Sequence, residues 1–461
     1  MSLIKSNTAG LGGAGSPGGA LGSFYDHTID QSLRFEEGGS GYLSFTPSAT
    51  GTDNKKYTLS LWVKLAQGSA DFRTIFSSKN TGAGTGQGHN TYAFGIDDDF
   101  ETYTENGANN PYTTTKFRDV TSWFNVVIAY DSTQATDTNR IKIFINGERD
   151  VTLGGSSFPA ENSVMSSVNT NGQEQRIGRY VSGFTRYFNG YMAEIHMVDG
   201  QALSPSNFGE TKDGVWIPKQ YADNGTTSHG ANGYHLDFAD SSSIGNDVSG
   251  NNNDFTASGF GTYDVMPDSP TNNWSTLNLL KVNDRTQTFA EGNLDYSSTQ
   301  TSTNPAVTST FAVSSGKWYW ETYIRAQGNA VNSVGIASNP NDLENDSTAL
   351  YSKSTAYSYQ ANGNKRNNSD ASYGDTWTTG DIIGVALDLD AGALYFYKNG
   401  SIQNSGTAAY TSLSGEFTSY GLIYNSGAQV YNFGQDDTFN NNKTSGSANA
   451  SDSSGLGQFY Y

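Results

Sequence analysis

The stretch GDIIGVALDLDAGALYFYKNGS, residues 380–401, decides the fold class. Gly380-Asp381 opens an apolar strand, DLDAG at 388–392 turns the chain, and YFYKNG returns to end on Asn399-Gly400. Both residues of an Asn-Gly pair tolerate positive φ, the backbone that a two-residue hairpin requires. The same device stands between IKIFI and ERDV at Asn146-Gly147. Outward from these hairpins, QSLRF, GYLSFT, YTLSLWVKL, RTIFSS, NTYAFGI, SWFNVVIAYD and YFNGYMAEIHMVDG alternate apolar and polar residues between turn clusters. A period of two marks strands rather than helices. The reading is all-β and antiparallel, with very little helix.

At 461 residues the chain exceeds one compact core and suggests two or three domains. Only 35% of residues are hydrophobic, yet 13% are aromatic, which suits thin sandwiches with aromatic inner faces and long polar loops. The formal net charge of −19 excludes a nucleic-acid partner, because such a surface repels phosphate. The absence of Cys excludes disulfides, zinc–thiolate sites and cysteine nucleophiles together. No apolar run reaches the roughly 20 residues of a membrane span, and MSLIKSNTAGLGG lacks the apolar region of a signal peptide.

Two resemblances organise the chain. Trp123 before an apolar strand, the IFING hairpin, and a Gly-Tyr-Met-Ala-Glu strand followed by ALSPSNF resemble a laminin-G or pentraxin-like jelly roll. SSGKWYWETYI at 314–324, VGIAS at 334–338 and the stretch at 380–401 resemble the SPRY family. Both resemblances imply concanavalin-like sandwiches. The expected plan is a Gly-rich anchoring arm over 1–22, a laminin-G-like sandwich over 23–212 and an irregular connector over 213–280. A SPRY sandwich over 281–437 and a low-complexity tail over 438–461 complete it. The connector, an LDF strand, an Asp/Asn/Gly run and then DSPTNN, resembles virion structural proteins of tailed bacteriophages, marine ones especially.

Concanavalin-fold glycosidases carry an E-x-D-x-E run that sets two carboxylates on one strand face. No such run occurs, and Glu194 has no carboxylate at i±2 or i±4, so it reads as structural or surface. The five His show no H-x-H or H-E-x-x-H spacing, which argues against zinc catalysis, and no Gly-x-Ser-x-Gly elbow is present. GAGTGQG at 82–88 lacks the Lys-Ser/Thr of a phosphate loop and reads as a loop. Laminin-G-like folds often bind Ca²⁺ at a sandwich rim. Asp97, Asp98 and Asp99 are the candidate ligands, with open solvent as the other relief for adjacent carboxylates. Asp240, Asn246 and Asp247 are a second set, with Asx-turns as the alternative. Trp377 and Trp274, in polar contexts, are candidate ligand-stacking platforms, with Tyr357, Tyr359 and Tyr373 along a binding edge. Trp62, Trp318 and Trp320 read as core.

The expectation is a non-enzymatic virion protein of a tailed phage, a tail fibre, spike or head decoration that requires no cofactor. It would be displayed on the particle surface as a homo-oligomer, with a trimer favoured. It would contact other virion proteins through Leu3, Ile4, Leu11 and Leu21, and host glycan or protein through its sandwiches. A secreted bacterial carbohydrate-binding or adhesive protein is the alternative, and a polysaccharide depolymerase the third reading.

Overall fold

The computed structural model describes residues 24–66, 72–79, 91–97, 99–103, 111–155, 157–181, 186–221, 228–282, 287–299, 305–338, 353–444, 450–452 and 457–461. The arm residues Leu3, Ile4, Leu11 and Leu21, the loop at 82–88 and Asp98 lie outside them. Helical geometry among the described residues is confined to single 3₁₀ turns such as Pro205–Asn207. The chain divides into two compact units, with the boundary between Asn273 and Trp274. Each is built on two antiparallel sheets.

In the first unit one sheet centres on Lys56–Leu65 and Gly190–Asp199, with Phe124–Asp131 and Ile141–Ile145 beyond the former. The second runs from Tyr42–Phe45 through Gln175–Ile177 and Arg73–Lys79 to Tyr112–Lys116. Alternation sends Tyr57, Leu59, Leu61, Val63 and Leu65 to one face of their strand, as a two-residue period requires, and all are buried. The Asn146-Gly147 hairpin forms as read, with φ of 48° and 81°.

The stretch expected to be an irregular connector is largely part of this unit. Tyr234–Leu236 pairs with Gly190–Asp199, Thr256–Ser258 with Tyr42–Phe45, and Val265–Met266 with Ser32–Phe35. The physical reason lies on the opposite face of Lys56–Leu65. Thr58, Ser60, Trp62 and Lys64 alternate outward, but none meets solvent. Polar groups removed from water need partners, and residues 201–273 supply several of them. Thr58 Oγ1 donates to Gln201 O at 2.8 Å, and Lys64 Nζ to Asp268 Oδ2 at 2.7 Å and Asn273 Oδ1 at 2.8 Å. Trp123 Nε1 donates to the other oxygen of Asp268 at 2.8 Å.

The second unit repeats the design. One sheet runs from Leu277–Val282 through Ala306–Val313, Phe417–Leu422 and Ser333–Ala337 to Ala356–Gln360 and beyond. In the other, Lys317–Ala326 lies between Gly427–Asn432 and Ile382–Asp388. The opening stretch behaves as its residues dictate. Ile382–Asp388 pairs with Ala393–Lys398, and the Asn399-Gly400 turn, at φ 48° and 76°, returns the chain to Ser401–Ile402. The tail is built in as well. Glu321 accepts hydrogen bonds from the backbone N–H of Tyr460 at 2.7 Å and of Tyr461 at 3.0 Å, and Phe459 is buried.

The Lys64–Asp268 pair, with both side chains fully buried, gives a direct test of how the first unit is covered. Removing one partner strands the other charge, and the expected cost of Asp268→Ala is about 3–5 kcal/mol. Chemical denaturation of the variant checks this. A loss under about 1 kcal/mol, the range of exposed pairs, would mean that water reaches the ammonium.

Candidate functional site

The aromatic residues expected to form a binding edge are interior. Trp377 is 2% exposed, Trp274 1%, Tyr359 0% and Tyr373 6%, so none offers a ring face to a ligand. Tyr359 packs against Tyr373, Trp377 and Phe396, and its hydroxyl donates to the Asp375 carbonyl. Trp274 lies over Gly434, where an added Cβ would sit 2.4 Å from the indole. These rings sit among turns and polar residues in sequence, yet the turns fold back over them. Tyr357 is half-buried, edge-on to Tyr410 and Phe417. Trp62 and Trp320 are core as read, whereas Trp318 is half-buried and donates Nε1 to Ser315 O at 2.7 Å.

Of the candidate Ca²⁺ ligands, Asp97 and Asp99 hold paired backbone positions of two antiparallel strands. Asp99 is buried and paired with Lys116 Nζ at 2.7 Å, so an ammonium stands where a cation was expected. In the second set, Asp240 accepts from Ser242 N at 2.9 Å and Oγ at 2.6 Å, an Asx-turn. Asp247 accepts from the backbone of His235, Ser249 and Asn253 at 2.8–2.9 Å. The backbone N–H of Asn246 goes to Ser243 O.

The first unit brings together what the sequence keeps apart. Gly190–Asp199 pairs along one edge with Lys56–Leu65 throughout its length. Its other edge is shared: Ser32–Phe35 takes Gly190 to Met192, and Tyr234–Leu236 takes Ile195 to Met197. At the changeover the strand carries a bulge, since Ala193 opposes Trp62 while His196 opposes Ser60. The extra residue re-aims the side chains beside it. Glu194 stands there with φ 49°, a left-handed backbone that costs a non-glycine residue on the order of 1–3 kcal/mol.

Four of the five histidines, scattered in sequence, converge on this point, and Glu194 is buried with imidazole partners. His27 Nε2 and His196 Nε2 each lie 3.3 Å from Glu194 Oε1, and His235 Nε2 lies 3.2 Å from the same oxygen. His235 is the direct cross-strand neighbour of His196, and their rings stack at 4.0 Å. His229 closes the far side, its Nε2 3.2 Å from His196 Nδ1, and Ser228 Oγ lies 3.1 Å from His229 Nδ1. Asn251 holds the His229 loop by donating to Gly230 O at 2.7 Å and Gly233 O at 2.9 Å. The cavity so formed, about 260 Å³, is also lined by Tyr221, Val248 and Ser249. Burial pushes the Glu194 carboxyl up, but contacts with His196, His235 and His27 outweigh it and hold the group well below the usual carboxylate range. Burial, then the neighbouring His235, pushes His196 down to about 3, so its imidazole is neutral. The one local signal was the E-x-H pair in YMAEIHM; its partners lie too far along the chain to be read from spacing.

A second cleft in the same unit, about 370 Å³, is lined by Tyr25, Trp62, Trp123 and Trp216, with Asn146, Glu148 and Asn273 among its polar groups. Trp216 lies against Gly147 and Gly209, either of which would meet the indole at 2.4 Å with a Cβ added. Its Nε1 donates to Asn125 Oδ1 at 3.3 Å. Tyr25 and Trp216 are half-buried, and Trp62 and Trp123 are buried beneath.

Comparison with known proteins agrees with this architecture. Residues 37–207 match the family described as the concanavalin A-like lectin/glucanases superfamily, in its laminin-G form, and residues 317–436 match the SPRY domain. No curated protein matches the chain in sequence. Among solved structures, the SPRY domain of human HERC1 is similar at 21% identity and a TM-score of 0.29, covering 34% of this chain and 96% of its own. The heptameric SAP-like pentraxin of Limulus polyphemus is similar at 13% identity and a TM-score of 0.29, over 38% of this chain and 78% of its own. Stonustoxin is similar at 20% identity and a TM-score of 0.28, over 34% and 26%. The chain therefore carries a laminin-G-type concanavalin-like domain followed by a SPRY domain, two β-sandwich modules of binding type.

Proposed function

We propose that this chain is a non-catalytic adhesion protein of a tailed-phage virion, a tail fibre, spike or head decoration, whose first unit contacts host-surface glycan. The observation that carries the reading is the cleft of that unit where the half-buried rings of Tyr25 and Trp216 stand among polar groups. Pyranose C–H groups pack on aromatic surface while amides and a carboxylate take the hydroxyls, and Tyr25, Trp216, Asn146, Glu148 and Asn273 supply both kinds of group. Glycoside hydrolysis needs two carboxyl groups across the scissile bond. Among the described residues lining the cleft, Glu148 is the single carboxylate. That composition supports binding without turnover. The virion setting is supported by the sequence style of residues 234–273. The same reading has the copies assembling as a homo-oligomer beside other virion proteins, with the net charge of −19 keeping free copies apart before docking.

The test is titration of the purified full chain with host-envelope polysaccharide, read by calorimetry and by assay for new reducing ends. Saturable binding without new ends is expected, and Tyr25→Ala should weaken it about tenfold, or 1.4 kcal/mol. Tyr25 lies outside the sheets, and circular dichroism of the variant checks that the fold is kept. Release of reducing ends would replace adhesion with depolymerisation, and binding indifferent to Tyr25→Ala would remove the cleft from the reading. For the virion setting, immunogold labelling of intact particles should decorate their surface; unlabelled particles that lack the chain on mass spectrometry would refute it.

A further inference from the structure

We propose that Glu194, His196 and His235 form a binding site for one divalent transition-metal ion of the zinc class, with His27 beside the carboxylate at its more exposed side. The inference rests on the first unit alone and stands whether or not the neighbouring cleft binds glycan.

The distances carry the argument. Zinc bonds to imidazole nitrogen and carboxylate oxygen at about 2.0–2.2 Å, and a tetrahedron of that size separates neighbouring ligand atoms by roughly 3.3–3.5 Å. The three imidazole Nε2 atoms stand 3.2–3.3 Å from Glu194 Oε1. The candidate ligand atoms of Glu194, His196 and His235 all lie within 4.8 Å of one another. A hydrogen-bond network accounts less well for this convergence. One carboxylate oxygen meets three ring nitrogens, and His235 Nε2, close as it is, lacks the alignment of a hydrogen bond. Several ring nitrogens gathered around one carboxylate oxygen are what a cation among them satisfies.

The surroundings fit a metal centre. Liganding histidines usually donate their second ring nitrogen to an outer partner that fixes tautomer and ring orientation. His196 has that partner in His229, and His229 in turn has Ser228. The donor set, imidazoles with one carboxylate, suits zinc, nickel, copper or iron and excludes the all-oxygen shell that calcium and magnesium require. His27 and His235 side chains are 22% and 20% exposed, which gives an ion a route from solvent, whereas His196 and Glu194 are buried behind them. The strained backbone at Glu194 has the same implication, since a left-handed glutamate persists where the surroundings fix it for use.

The experiment uses the untagged full chain, freed of metal by chelator and dialysis, and titrates it with Zn²⁺ alone. One equivalent per chain is expected by calorimetry, with a rise in Tm that chelator reverses, because an ion bound only by the native state stabilises it. Ca²⁺ should produce neither effect. His235→Ala, at the half-exposed side of the cavity, should weaken zinc binding by more than the roughly 10–100-fold that loss of an outer partner costs. His89→Ala, the histidine outside the described residues, should leave it unchanged. Co²⁺ should give the visible absorption of a four-coordinate centre in the unmutated protein, a readout independent of any variant's folding. Absence of zinc binding and of the cobalt spectrum would reduce the cluster to a hydrogen-bonded network. Equal affinity in folded His235→Ala would place the ion elsewhere, and either result overturns the proposal.

Discussion

Gly190–Asp199 is the strand on which the first unit depends, and the constraint within it is one surplus residue. Lys56–Leu65 follows it along its whole length on one side, while the other side is divided between strands that arrive from residues 32–35 and 234–236. A regular strand serves two partners on one edge only if they meet end to end without clashing. The bulge at Glu194 provides the extra length and twist at that join. It also sets the chemistry, because the gap between the two abutting strands is where the imidazoles collect. Fold and candidate site therefore share one cause, a local mismatch of count between two paired strands.

The second organising demand is burial of the outer face of Lys56–Leu65. A sheet in a two-layer sandwich normally leaves one face wet, and Thr58, Ser60 and Lys64 are residues that suit a wet face. Here they are covered, which obliges residues 201–273 to supply an ion pair, a carbonyl and an amide in the right places. Burial pushes the Lys64 ammonium down, and Asp268 opposes that shift. Much of the length of the first unit beyond its sandwich follows from this covering layer.

Legibility in the sequence divides along the same line. The hairpins at Asn146-Gly147 and Asn399-Gly400 were legible because turn geometry is decided by two adjacent residues. The sandwiches and the SPRY signature strand were legible because the period of two is local. Residues 213–273 were not, since three short strands among Asp, Asn and Gly are stable only through partners in the sandwich. The site was less legible still. Trp377 and Tyr359 have the polar neighbours of an exposed platform, and only folding shows that those neighbours close over them. His27, His196, His229 and His235 obey no spacing rule, because their meeting depends on strand pairing and on a bulge that spacing does not encode.

The pairing pattern also dictates a schedule. Among the described residues, Ser32–Phe35 finds its strand neighbours in Gly190–Asp199 and Val265–Met266, and Tyr42–Phe45 in Gln175–Ile177 and Thr256–Ser258. A ribosome working at about 5–20 residues per second leaves those first strands without any partner for roughly seven to thirty seconds. For that interval their bare edges are templates for any other strand nearby, including the same segment on a following ribosome. A cell that makes many copies at once must shield nascent edges during translation, and yield of the intact protein will follow holdase capacity more closely than the stability of the finished sandwich.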